Sequence, residues 1–145
     1  TRKFPSYKKI NDDLVFVFMY GVNETIPTYR GHYRLDELKF LDKTLNKFAD
    51  KKVIIFQHFP ILPPTDDIDR RPYDTEPYFN ILSKHNNVLA VVSGHFCIEK
   101  VQNNNGIEHI SVGSIEKDGE YDQIKIFKNQ DNTYSITTRI INISE

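Results

Sequence analysis

The sequence predicts an α/β fold in which parallel strands come first and antiparallel hairpins follow. Three observations carry that expectation. Two apolar runs, Val53-Ile54-Ile55-Phe56 and Val88-Leu89-Ala90-Val91-Val92, each lead within a few residues to a histidine, His58 or His95. Runs of that length, rich in β-branched residues, read as strands buried on both faces. A loop and a short helical stretch separate them, which makes a strand–crossover–strand unit, and such connections are nearly always parallel. After His95 the pattern changes to alternation around asparagine-rich turns, the signature of hairpins.

Each element can be justified in chain order. Leu14–Tyr20 reads as a first buried strand, ended by Gly21. Beyond a loop holding Pro27 and Gly31, Leu35, Leu38, Leu41, Leu45 and Phe48 recur at helical spacing and mark an amphipathic helix of about four turns. Asp36 and Glu37 in its first turn and Lys43 and Lys47 towards its end suit the macrodipole. The strand Val53–Gln57 follows. From Phe59 to Pro77 the chain holds Pro60, Pro63, Pro64, Pro72 and Pro77. Proline removes backbone donors and blocks both helix and central strand, so this is a long, stiff loop, of a length that is usually functional. Thr75 is placed to cap a short helix running to about His85, with Glu76 and Pro77 in its first turn. Ile98–Gln102 and Ile107–Val112 flank Asn103-Asn104-Asn105-Gly106, and Tyr121–Lys128 and Thr133–Ile143 flank Asn129-Gln130-Asp131-Asn132. The carboxyl third therefore reads as antiparallel β with no helical pattern.

Composition sets outer bounds. At 145 residues the chain is one domain at most, long enough to bury a core. Its 27% charged and 39% hydrophobic content is that of a globular chain rather than a disordered one. A net charge of −1 gives no electrostatic reason to expect nucleic acid, which calls for a basic patch. Cys97 is the single cysteine, so no intrachain disulfide forms, and it says little about compartment. No apolar run approaches the roughly 18 residues of a membrane span. The first residues have neither an initiator Met nor a signal-peptide core, and the expectation is a partial domain over 1–145 whose amino-terminal half is absent.

His58 and His95 are the first candidates for chemistry. Parallel strands would deliver both to the carboxyl edge of one sheet, where open α/β sheets place their ligands. The rings should converge there, with nitrogens about 3–4.5 Å apart, as fits two ligands each about 2.0–2.1 Å from one zinc-like ion. Gly94 lets the backbone come close to whatever His95 faces, and Pro60 fixes the loop after His58. The competing reading is two unrelated histidines, each hydrogen-bonded at a strand end.

Gln57-His58-Phe59-Pro60 and Gly94-His95-Phe96-Cys97 resemble the last two motifs of the calcineurin-like metallophosphoesterases. That family carries, in order, D-x-H, G-D, G-N-H-D/E, an H-H-P-like segment and G-H-x-H. Phe59 stands where a second His is common, and Cys97 where the last His is expected. The apolar strands, the leucine-rich helix ahead of His58 and Gly113-Ser114 after the hairpin also fit. The resemblance, spanning about Leu14 to Ile143, implies a mixed-sheet half of an α/β/β/α sandwich. It implies metal-dependent hydrolysis of a phosphomonoester or phosphodiester with a divalent metal pair of manganese, iron or zinc. It implies that His58 and His95 are ligands of the second metal, and that Cys97 occupies a ligand position of the first.

The first three motifs are missing: the chain contains no Asp-x-His, no Gly-Asp and no Asn-His. Two-metal hydrolysis needs ions about 3.5–4 Å apart, and carboxylates to bridge them. Two imidazoles fill only part of one shell, since zinc takes about four ligands. This chain alone should bind metal poorly and be inactive, with no catalytic residue of its own. The rival function is a non-catalytic homologue serving as a binding or scaffolding domain.

Cys97 keeps two readings. In an extended segment residues i and i+2 share a face, so His95 and Cys97 could both enter the site, where a thiolate would favour zinc or iron. Equally, Cys97 is a small buried hydrophobe. Arg70 and Arg71, after the acidic Asp66-Asp67-Ile68-Asp69, could grip a substrate phosphate in bidentate fashion, or belong to a solvated face. His32 reads as substrate-side or structural. His85 ends a helix and His109 lies in an alternating strand, and neither is assigned a function. Missing strands would leave edges and apolar faces uncovered, so the chain is expected to self-associate.

Overall fold

Strand β3 (Lys52–Gln57) shows how the sequence builds the molecule. Val53 and Ile55 face one way and Ile54 the other, all with no exposed surface, so the strand is buried on both faces as its composition requires. A computed structural model describes residues 4–143 of the chain. Around β3 stand β1 (Ser6–Lys9), β2 (Leu14–Phe18), α1 (Leu35–Lys47), α2 (Glu76–Leu82), β4 (Val88–Ser93), β5 (Lys100–Asn104), β6 (Ile107–Ser111), α3 (Ile115–Asp118), β7 (Glu120–Lys128) and β8 (Tyr134–Asn142).

The main sheet has the order β1-β2-β3-β4-β6-β5. β2, β3, β4 and β6 are mutually parallel, and β1 and β5 close the edges antiparallel. On one face, Leu38, Leu41 and Leu45 of α1 and Tyr78, Ile81 and Leu82 of α2 pack on Val15, Val17, Val53, Ile55 and Val91. On the other, Leu14, Ile54, Ala90, Val92 and Ile110 meet Ile124, Ile126 and Ile136 of the separate β7–β8 ribbon. The result is a mixed α/β arrangement of helices, mixed sheet and hairpin. No helix among the described residues is long and apolar enough to cross a membrane.

Several expectations change. β6 does pair with β5 as a hairpin, but it also runs parallel to β4, from Ala90↔Glu108 to Ser93↔Ser111. The carboxyl third is therefore not purely antiparallel; alternation reveals a strand's faces and says nothing of its second neighbour. The turn of that hairpin is Asn105-Gly106, with φ of 52° and 82°, the two left-handed residues of a tight hairpin turn. β5 starts at Lys100 rather than Ile98, and the single-turn α3 is too short to show helical periodicity in the sequence. β1, a short polar edge strand, carries no readable alternation. Thr75 has helical backbone angles and makes no side-chain cap; its carbonyl instead accepts the N–H groups of Tyr78 and Phe79, both at 3.1 Å.

For function the decisive feature is the register of β3 and β4. Gln57 pairs with Ser93 at their carboxyl ends, so His58 and Gly94 are the next residues on adjacent parallel strands. The Gly94 N–H donates to the His58 carbonyl at 3.1 Å, which extends the pairing one step past the sheet.

Candidate metal centre

His58 Nε2 and His95 Nδ1 lie 3.2 Å apart, with ring centroids at 5.1 Å and planes at 73°. The structure thus brings together the two histidines singled out in the sequence, at the carboxyl edge of the sheet. Two nitrogens each about 2.0–2.1 Å from one tetrahedral ion would stand about 3.3 Å apart, so the spacing suits a shared ion. The same distance is a hydrogen bond when one ring donates to the other.

The turn that presents His95 is strained and heavily braced. His95 takes φ of 70°, a left-handed conformation that costs an L residue on the order of 1–2 kcal/mol. It is closed by Phe96 N–H donating to the Gly94 carbonyl at 2.9 Å. Arg70 straps it: its guanidinium donates to the carbonyls of His95 and Phe96 and lies 4.8 Å over the Phe96 ring. Such strain persists only where neighbours over-determine it, and it clusters at functional sites. Gly94 itself is not required for close approach, since a Cβ there would meet His58 Nδ1 at an ordinary 3.7 Å.

Phe59 forms the floor. Its ring is 8% exposed and packs 4.8 Å from His58 and 4.6 Å from His95. Its carbonyl accepts from Tyr33 Oη at 2.5 Å and Gln57 Nε2 at 2.9 Å, and Tyr78 Oη fixes Gln57 through Oε1 at 2.8 Å. Gly31 lies against the ring so closely that a Cβ would fall 2.2 Å from Phe59 Cγ. This floor and the Arg70 strap were not read from sequence as site-forming. A phenylalanine next to a histidine gives no local signal of that role.

His58 lies exposed at the sheet edge, and the partial burial of its ring lowers its pKa. His95 is lowered by burial first, then by the charges of His58 and Arg70, while the carbonyls of Arg70 and Tyr29 oppose the shift. Its Nε2 is buried without a hydrogen bond of standard geometry. Both rings are therefore biased to the neutral form that metal ligation requires. Two imidazoles fit two positions of one ion. Among the described residues, no group of three or more His, Cys, Asp or Glu side chains stands placed to complete a shell.

At Cys97 the backbone bears on one of the two readings. Residues 95–97 are not extended, because His95 and Cys97 both take positive φ, 70° and 54°, so the shared-face argument does not apply. Cys97 lines a cavity of about 200 Å³ with Glu99, Glu120 and Asp122, and neither histidine borders it. There the neighbouring Asp122 carboxyl, aided by burial, raises Glu99 to about 7.

The other candidates also find definite places. Arg70 is engaged by the His95 turn, as described. Arg71 Nη2 bonds Asp66 Oδ1 at 2.5 Å, and its side chain borders a cavity beside the proline-rich loop. His32 ties two loops together through a backbone bridge to Tyr73, and its N–H donates to the Gly21 carbonyl at 2.9 Å. His85 Nε2 contacts Asp42 Oδ1 of α1 at 2.8 Å. His109 is 4% exposed, and burial pushes it down to about 4.

Comparison with known proteins places this geometry in context. No family model matches the sequence. It is 27% identical over 77 residues to a manganese-dependent ADP-ribose/CDP-alcohol diphosphatase of Danio rerio, covering 52% of this chain and 24% of that protein. It is 36% identical over 63 residues to the Probable glycerophosphodiester phosphodiesterase GpdQ of Arcobacter nitrofigilis, covering 41% of this chain and 23% of that protein. In structure it is similar to a dimetal phosphatase from Danio rerio, with a TM-score of 0.63 at 18% identity, covering 74% of this chain and 48% of that one. The matches thus span about a quarter of each curated relative and about half of the solved chain.

Proposed function

We propose that this chain, which resembles part of a calcineurin-like metallophosphoesterase in sequence and fold, supplies two ligands of a divalent metal centre for phosphoester hydrolysis. The observation that carries the reading is the pair of neutral-biased imidazoles, 3.2 Å apart at the carboxyl edge of a parallel sheet. His58 Nε2 and His95 Nδ1 would hold one ion. A bound ion of this kind polarises a phosphoryl oxygen and generates hydroxide at neutral pH. The chain's own contribution is orientation of the two rings. Arg70 holds the His95 turn, and the Phe59 ring packs beneath both imidazoles, whose partial burial favours their neutral forms. The names of the relatives support phosphoester substrates and a metal pair, with manganese named for one of them; iron and zinc are the further candidates that the sequence resemblance implies. No step is assigned to a catalytic residue of this chain, because among the described residues no group of three or more His, Cys, Asp or Glu that includes a bridging carboxylate is placed to hold an ion.

The test is hydrolysis of bis-p-nitrophenyl phosphate with manganese by the gene product that carries this segment. Activity that falls to the metal-only rate on His58→Ala and on His95→Ala supports the reading; full activity in both variants refutes it. The 145-residue chain alone should show no rate above metal alone.

A second reading, a binding or scaffolding domain, is favoured by one observation: the imidazole pair has no third His, Cys, Asp or Glu beside it among the described residues. A gene product that binds metal through this pair but hydrolyses no phosphoester would support it. We further infer self-association through β7 and β8, each of which has one edge unpaired among the described residues. A monomer in sedimentation at high micromolar concentration would refute that.

A further inference from the structure

We propose that the cavity between the proline-rich loop and β5 is a binding site for a phosphate-class oxyanion, gripped by Arg71 and Lys100. The cavity measures about 370 Å³ and is walled by Pro63, Pro64 and Pro72, with Arg71, Lys100 and Gln102 lining it together with one carboxylate, Asp66. The proline walls are stiff, so little order is lost on binding. Arg71 is anchored from behind: its carbonyl accepts from Arg30 Nε at 2.7 Å, and the Arg30 guanidinium lies 3.8 Å over the Tyr73 ring.

The guanidinium of Arg71 is half used. Nε–H and Nη2–H form one edge of the group, the edge that grips two oxygens of one oxyanion. Nη2 holds Asp66 Oδ1 at 2.5 Å, whereas Nε is buried without a partner. The Asp66 side chain is fully exposed and that of Arg71 40% exposed, so the pair is a surface ion pair of the kind that contributes little. An oxyanion entering from the cavity would replace Asp66 and fill both donors. Lys100 Nζ donates to the Pro64 carbonyl at 2.9 Å, which leaves two of its three protons for the same ligand. Asp67 and Asp69 lie on the exposed stretch beside the cavity, where solvent and salt screen them.

The site neighbours the imidazole pair along the chain. Its walls begin three residues after His58, and Arg71 follows the residue that straps His95. On the phosphoesterase reading, the anion held here is a second, non-reacting phosphate of the substrate. The binding itself does not depend on that reading.

The experiment uses metal-free chain in EDTA at constant ionic strength, with inorganic phosphate replacing chloride and the arginine Nε–H signals followed by NMR. A saturable shift of the Arg71 signal is expected. Lys100→Gln should weaken phosphate binding by about threefold or more, and Asp66→Asn should tighten it, because a competing carboxylate is removed. A merely structural Asp66–Arg71 pair would give no tightening. The proposal is overturned by no saturable shift, by a shift shared equally among Arg30, Arg34, Arg70 and Arg71, or by binding that both variants leave unchanged. Because no metal is present, none of these outcomes bears on the imidazole pair.

Discussion

Gly31→Ala is the substitution through which the fold should disturb the candidate site most directly. The added Cβ would fall 2.2 Å from Phe59 Cγ, 2.5 Å from Cδ2 and 2.6 Å from Cβ. The Phe59 ring cannot swing away, because it is packed against both imidazoles and within the helix-side core. The backbone at Gly31 is equally held. Its carbonyl accepts from Tyr73 N–H at 2.8 Å, and the next residue, His32, donates to Gly21 at 2.9 Å. Overpacking of this kind costs about 1–3 kcal/mol, and the shortness of the contact argues for the upper part of that range. Gly31 does not adopt a left-handed φ, so without the clash alanine would stabilise by about 0.4–1 kcal/mol through the unfolded chain. The net expectation is a loss of about 2 kcal/mol in urea unfolding, with the ring signals of His58 and His95 displaced. In a Phe59→Gly background, which removes all three contacted atoms, the cost of Gly31→Ala should fall by about 1 kcal/mol or more. Stability within about 0.5 kcal/mol of wild type, or an effect independent of Phe59, would refute the close approach.

Two further outcomes are expected. His109, held at about 4 in the fold against about 6.5 when unfolded, stays neutral in the folded state, so its contribution is full above pH 6.5 and is lost as pH falls towards 4, by about 2–3 kcal/mol. His109→Phe should remove that loss, so that its stability relative to wild type rises on acidification in urea titrations; parallel pH profiles would refute the burial argument. Glu99, raised to about 7 beside Asp122, acts with the opposite sign in both proteins and cancels in the difference. Cys97 borders a different cavity from the imidazoles, so Cys97→Ala should leave zinc binding by the chain unchanged; a clear loss of affinity in calorimetry would make Cys97 a ligand.

Much of the fold was legible because burial on both faces writes itself into composition. Val53–Phe56 and Val88–Val92 could hardly be anything but central strands, and their parallel pairing followed from the helix-bearing crossover between them. Leucine spacing located α1 for the same reason. What was not legible depended on partners distant in sequence. β6 reads as half of a hairpin, and only the fold shows β4 on its other side. Polar β1 has no face to declare. At the site, the strand-end rule brought His58 and His95 together, since register at Gln57↔Ser93 leaves few other places for them. The argument that residues i and i+2 share a face does not carry over to Cys97, because it assumes an extended chain where His95 and Cys97 both turn left-handed. Glu37 shows the same limit. Its spacing suggested a helix-dipole residue, yet it is 1% exposed, and its Oε1 accepts the N–H groups of Tyr20 and Gly21 at 2.9 and 3.0 Å. That carboxylate secures the end of β2, a role no local pattern announces.

The central claim is that His58 and His95 act together on one ion. Zinc titrated into the metal-free chain, with the ring signals of all five histidines followed by NMR, tests it most directly. The account predicts that the His58 and His95 signals move together with one binding curve and one ion per chain, that His32, His85 and His109 stay in place, and that His58→Ala or His95→Ala abolishes the response of the remaining ring. Separate curves for the two rings, or a His95 response that survives His58→Ala unchanged, would contradict it.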